Sequence, residues 1–178
     1  MKYLSVIAVL ATTPVGAENI QDLGTTNPEE MTWGSNIARV ERGEVDMNIC
    51  ASGYMMTKSG DHASARAIFE ACAAAGYTGA MTWMSQLDDN GLGGEYDPDA
   101  AANWDRRAAE AGDPVGKFNY GLDLMRGRGV ARNEALGRRY VDEAAKDGLQ
   151  IAKRLQGADY DLDEVTPDAD NWKYAPLF

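Results

Sequence analysis

The chain has 178 residues, 28 of them Asp or Glu against 17 Lys or Arg, for a net charge of −11. That length supports one domain with a real core. So acidic a chain is repelled by nucleic acid and by anionic lipid, so neither is an expected partner. Two cysteines, Cys50 and Cys72, are present.

The N-terminus reads as a secretory signal peptide, residues 1–17. Lys2 supplies the positive start, Tyr3 to Ala11 is almost wholly apolar, and Val15-Gly16-Ala17 supplies small or short side chains before a cut at Glu18. The apolar run is too short to span a bilayer comfortably, and no other segment is suited to do so. Export makes a disulfide between the two cysteines an expectation, with two free thiols buried as small apolar groups the alternative. Charge is uneven along the exported part: −10 over residues 18–112, +3 over 113–157 and −5 over 158–178.

Glu18 to Thr26 is polar and reads as an extended arm. Asn27-Pro28-Glu29-Glu30 has the form of a helix start, with Met31, Ile37 and Val40 as a weak apolar face up to Arg42 and Gly43 as the stop. A second helix is expected over Val45 to Thr57, with Val45, Ile49 and Met56 turned inward. Ser59-Gly60 breaks it. Asp61 caps a third helix, Ala63 to Ala75, ended by Gly76.

Residues 77–112 and 113–148 then form two units of 36 residues each. Gly91 and Gly93 of the first align with Gly127 and Gly129 of the second, Trp104 with Tyr140, Ala108-Ala109 with Ala144-Ala145, and Gly112 with Gly148. In the first unit, helix A is expected over Gly79 to Asp88 and helix B from Pro98 to Ala111, capped by Asp97. In the second, Asp113 and Pro114 start helix A, which runs to Arg126, and Asn133 caps helix B. At the same offset Ile68 matches Trp104, Cys72-Ala73 matches the paired alanines, and Gly76 matches Gly112. Residues 43–76 are therefore a worn copy that lacks the glycine pair in its turn. Residues 149–157 give a capping helix that closes the stack. A period in this range marks a solenoid of stacked helix pairs, in which alanine pairs let helices approach and the aromatics fill wider gaps. The repeat domain is thus residues 18–157. Residues 158–178 form an acidic tail with an aromatic end, Trp172, Tyr174, Leu177 and Phe178.

The second unit carries Asn119-Tyr120-Gly121, Gly127-Arg128-Gly129-Val130, Tyr140, Ala144-Ala145 and Gly148. In this it resembles the Sel1-like repeat, a relative of the tetratricopeptide repeat with a longer turn. The first unit departs from the pattern at Ser85, in the place of Gly121, and at Gly94, in the place of Val130. The resemblance implies an all-α, right-handed solenoid of antiparallel helix pairs that serves as a protein-interaction scaffold. Some exported bacterial members act as regulators or assembly factors in the envelope, and others are cysteine-rich, with disulfides that clip the helices of a repeat. Cys50 lies about ten residues before the Ser59-Gly60 turn and Cys72 about twelve after it, at nearly the same height in an antiparallel pair. A Cys50–Cys72 bridge is therefore expected, stabilising by roughly 3 kcal/mol in the chain-entropy model and clipping the repeat whose core packs least well.

Chemistry is thinly signalled. Asp88, Asn90 and Gly93 fall at the first, third and sixth places of a calcium loop, but Leu92 fails at the fifth and Asp99 replaces the usual Glu. Lys58-Ser59-Gly60 resembles a motif of penicillin-recognising enzymes, without their Ser-x-x-Lys nucleophile. His62 is the only histidine and sits at a helix start. No catalytic, metal or cofactor residue is expected. In helix pairs of this type the A helices line the concave face. There Phe118, Leu122 and Met125 form an apolar stripe in the second unit, and Thr82, Gln86 and Asp89 are its polar equivalents in the first. With Arg126 they are the expected contacts for a protein or peptide partner, unless core or tail covers the stripe. The tail is expected to pack back on the terminal helices or fill the groove. The overall expectation is a non-enzymatic periplasmic or secreted adaptor. An envelope hydrolase acting on cell-wall material, through a nucleophile or a carboxyl pair with perturbed pKa values, is the first alternative, and a structural subunit is the second.

Overall fold

The computed structural model describes residues 32–165. Among them are eight α-helices: α1 (Trp33–Glu41), α2 (Met47–Ser59), α3 (His62–Ala74), α4 (Thr78–Asp89), α5 (Pro98–Glu110), α6 (Pro114–Arg126), α7 (Glu134–Lys146) and α8 (Gln150–Gly157). A 3-10 turn, Leu162–Val165, follows. The expected signal peptide, the Asn27 helix start, Met31 and the aromatic end of the tail all lie outside the described residues. α1 starts at Trp33 behind Thr32, whose hydroxyl accepts from the Ser35 amide.

The sequence punctuation becomes capping geometry. Asp46, Asp61, Asp97, Asp113 and Asn133 each accept an amide of the first turn of the helix that follows. Such caps satisfy donors that have no partner inside the helix, each contributing about 1 kcal/mol. At the other end, Gly76, Gly112 and Gly148 take φ of 91°, 90° and 103°. The next amide then returns to the helix: Tyr77 N–H to Cys72 O, Asp113 N–H to Ala108 O and Leu149 N–H to Ala144 O, all at 3.0 Å. This left-handed glycine stop is the same in all three copies, which is why the glycine recurs at 36 residues.

Helices α2 and α3, α4 and α5, and α6 and α7 form three pairs stacked in chain order, with α1 against the first pair and α8 against the last. The fold is an all-α solenoid of helix pairs. The long turns are built alike. Leu92 N–H bonds Leu87 O and Asp97 N–H bonds Asp88 O; one period later Arg128 N–H bonds Asp123 O and Asn133 N–H bonds Leu124 O. Each turn lies against the start of the preceding B helix. A Cβ on Gly93 would come 2.7 Å from His62 O, and one on Gly129 would come 1.9 Å from Pro98 O. Glycine is required at both, for backbone approach and for φ of 68° and 62°.

Cys50 and Cys72 form a disulfide joining α2 to α3, with Cα atoms 5.9 Å apart. The first pair is not, however, the poorly packed one. Ile49, Met56 and Ile68 are fully buried and Phe69 is 2 % exposed, giving this pair the larger core side chains. Its turn is reduced to Gly60 and Asp61, so what it lost is the long turn and not the core. Gly53 makes room for the Phe69 ring, to which a Cβ there would come within 2.7 Å. Trp104 packs on this core with the Arg107 guanidinium 4.1 Å from its ring centre, and Tyr140 meets Tyr120 edge to face.

Candidate interaction surface

The apolar stripe expected on helix A of the second unit is not on the surface. Phe118, Leu122 and Met125 are 5 %, 8 % and 3 % exposed and belong to a core cluster with Val141, Ala144, Leu155 and Val165. They therefore hold α6 to α7 and α8, and cannot meet a partner while that core is intact. Arg126 is also engaged, donating to Val165 O at 3.2 Å. Asp89 pairs inward with Arg128, Nη1 to Oδ2 at 2.7 Å. Of the seven expected contacts, only Thr82, half-buried, and Gln86, exposed, keep surface not taken up by such pairing.

The exposed apolar surface lies on α2 instead. Ile49, Gly53 and Met56 face the core. On the opposite side Met47 is 71 %, Met55 55 % and Tyr54 43 % exposed. Met47, Ala51, Tyr54, Met55 and Lys58 share that outer side at helical spacing. Tyr54 continues the surface onto α4, its ring centre 5.4 Å from that of Trp83, which stacks on buried Phe69 with centres 5.8 Å apart. Gln86 lies one turn from Trp83 on neighbouring positions of α4. Lys58 Nζ sits 5.4 Å from the Tyr54 ring centre. The sequence held a signal for this surface. Seven apolar side chains in Met47–Met56, with no carboxylate on the helix, are too many for a single inward face.

A second cluster lies where the two full units differ. Gly121 of α6 meets Val141 of α7, a Cβ on Gly121 coming 3.1 Å from the valine. In the first unit the same places hold Ser85 and Asp105. Ser85 donates to Asp105 Oδ2 at 2.5 Å, and Asn119 of α6 donates to Oδ1 at 3.1 Å. Asp105 and Asp123 are both 2 % exposed. Burial, with the Asp123 charge adding to it, pushes the Asp105 carboxyl up to about 7. Burial raises Asp123 to about 6, against the opposing pull of Arg128, whose Nε lies 3.4 Å from Oδ1. Asp89 Oδ1 and Asp123 Oδ2 are buried acceptors without a protein donor. Nearby, Arg66 of α3 donates to Asp88 Oδ1 at 2.6 Å and to Leu92 O at 3.2 Å. Its guanidinium lies against Gly94, the second departure from the repeat pattern. Ser85 and Gly94 stand out in the sequence as departures from the repeat, but their partners Asp105 and Arg66 are distant along the chain and no local pattern joins them.

Among the described residues no group of three His, Cys, Asp or Glu is placed to hold a metal ion, and no helix is long and apolar enough to cross a membrane.

No protein-family model and no curated protein matches the sequence. Solved structures do. A Sel1 repeat protein from Oxalobacter formigenes is 25 % identical over 64 % of this chain and 46 % of its own, with a TM-score of 0.58. The chain has the fold of Sel1 repeat proteins. Two further structures share the fold. A protective antigen of uropathogenic Escherichia coli strains, with an SLR fold, is 23 % identical over 71 % of this chain and 29 % of its own, TM-score 0.60. Cysteine-rich protein B of Helicobacter pylori is 18 % identical over 68 % of this chain and 90 % of its own, TM-score 0.56. The chain thus spans less than half the length of the first two.

Proposed function

We propose that the chain is a non-enzymatic interaction scaffold of the bacterial envelope that binds a protein or peptide on the outer side of α2 and the adjoining part of α4. One observation carries this reading: Met47, Tyr54 and Met55 form an exposed apolar stripe that runs onto Trp83. Aromatic and methionine side chains are enriched at interfaces, and a rigid ring pair such as Tyr54–Trp83 gives contact area at low entropic cost. Thr82 and Gln86 supply a polar rim. The disulfide supports an oxidising compartment, in keeping with the signal-peptide pattern of residues 1–17.

The buried carboxyls are the one observation that favours a hydrolase, since Asp105 and Asp123 have raised pKa values. Both are closed off from solvent, and both oxygens of Asp105 are taken by Ser85 and Asn119. We assign them to the joint between the units.

Capture from envelope extract with the mature chain, compared with Tyr54→Ser/Met55→Ser, tests the proposal. We expect a partner retained by the first and lost by the second at an unchanged unfolding midpoint. Equal retention by both would place binding elsewhere.

A further inference from the structure

Resting on the reading of α2 as the binding surface, we infer that Met47 and Met55 make that surface an oxidant-sensitive switch: a peroxide converts both to sulfoxides, and the surface then lets its partner go. Of the eight methionines, Met1 and Met31 lie outside the described residues. The rest fall into two sets. Met56, Met81, Met84 and Met125 are buried in the core, none more than 7 % exposed. Met47 and Met55, at 71 % and 55 %, both stand on the outer side of α2. Among the described residues, the accessible thioethers and the proposed interface therefore coincide.

No thiol competes for the oxidant. Both cysteines are held in the Cys50–Cys72 bridge, and there is no free cysteine. The thioether sulfur attacks one oxygen of hydrogen peroxide. An S–O bond forms as the O–O bond breaks, the sulfur loses two electrons, and the second oxygen leaves as water. The product is a polar, chiral side chain in place of a flexible apolar one. Against a partner, the sulfoxide oxygen is stripped of water without gaining a donor, which weakens binding about tenfold per side chain.

The fold is insulated from this change. The outer side of α2 is opposite Ile49, Gly53 and Met56, which face the core. The buried methionines react only when the stack opens. A bound partner shields Met47 and Met55, so oxidation acts on the free protein and keeps it free.

Dilute hydrogen peroxide applied to the mature chain tests this, with sulfoxides located by peptide mass mapping and capture from envelope extract compared before and after treatment. Met47 and Met55 should oxidise about tenfold faster than Met56, Met84 and Met125, at an unchanged unfolding midpoint. The treated wild type should retain about tenfold less partner than the untreated, and a methionine sulfoxide reductase should restore it. In Met47→Leu/Met55→Leu, treated and untreated samples should retain equal amounts. Equal oxidation rates for the two sets of methionines would overturn the inference. So would full capture by the doubly oxidised wild type, or the same loss on treatment in the Leu variant, which would assign the effect to another side chain. Tyr54→Ser/Met55→Ser separates the two readings. Capture lost in that variant but kept by the sulfoxide form overturns the switch alone, whereas capture unaffected by that variant overturns both.

Discussion

Helices α2 and α6 occupy equivalent places, each the first helix of its pair, and each carries more apolar side chains than one face needs. Their fates differ because of what comes next in space. α6 is enclosed by α5, α7 and the 3-10 turn, so Phe118, Leu122 and Met125 are consumed by the core. Among the described residues α2 has only the lightly packed α1 before it, and Met47, Tyr54 and Met55 are exposed. In a stack, whether an apolar stripe is core or interface depends on its neighbour in the array, since each element contacts only the next.

The sharpest break of that contrast is Phe118→Ala. It should cost about 4 kcal/mol, in the range for a large buried side chain, read as a loss in unfolding free energy by denaturant titration. Its counterpart Thr82→Ala, half-buried on α4, should change stability by less than about 0.5 kcal/mol. Reducing the Cys50–Cys72 disulfide should cost roughly 3 kcal/mol. The loss should fall on the first pair, so hydrogen exchange should speed on α2 and α3 before α6 and α7. Uniform loosening would mean that the stack unfolds as one unit.

The joint between the units predicts a pH dependence of unusual sign. Asp105 binds its proton more tightly folded, at about 7, than unfolded, at 3.8. Its contribution is therefore full below pH 3.8 and is lost as pH rises through about 7. By linkage this amounts to about 3 kcal/mol between pH 4.5 and 7.5, with Asp123 adding in the same direction. The pair swap Ser85→Gly/Asp105→Val installs the Gly121–Val141 arrangement of the second unit. Unfolding measured across that range should show a flatter slope and higher stability at pH 7.5. An unchanged slope would mean that the carboxyls do not set it.

Much of the fold was legible because backbone requirements repeat. The glycines at 36-residue spacing need left-handed φ, the Asp and Asn caps need their amides, and the turn glycines admit only a hydrogen toward His62 and Pro98. The cysteine pair followed from equal heights on an antiparallel pair. What was not legible depended on neighbours. Helical spacing placed Phe118, Leu122 and Met125 on one side of α6 but gave no means to tell a core side from an open one. The Ser85–Asp105–Asn119 cluster draws on three helices, and no local pattern links them. The core of the first pair differs from expectation for the same reason: its worn turn is visible in the sequence, while Phe69 filling the space over Gly53 is not.

The most direct test of the contrast applies one chemical change to both helices, Met125→Ala on α6 and Met55→Ala on α2, with unfolding free energy measured by denaturant titration. A loss of about 2–5 kcal/mol is predicted for the first and less than about 1 kcal/mol for the second. Comparable losses in the two variants would contradict the account, because Met55 would then be as much a part of the core as Met125.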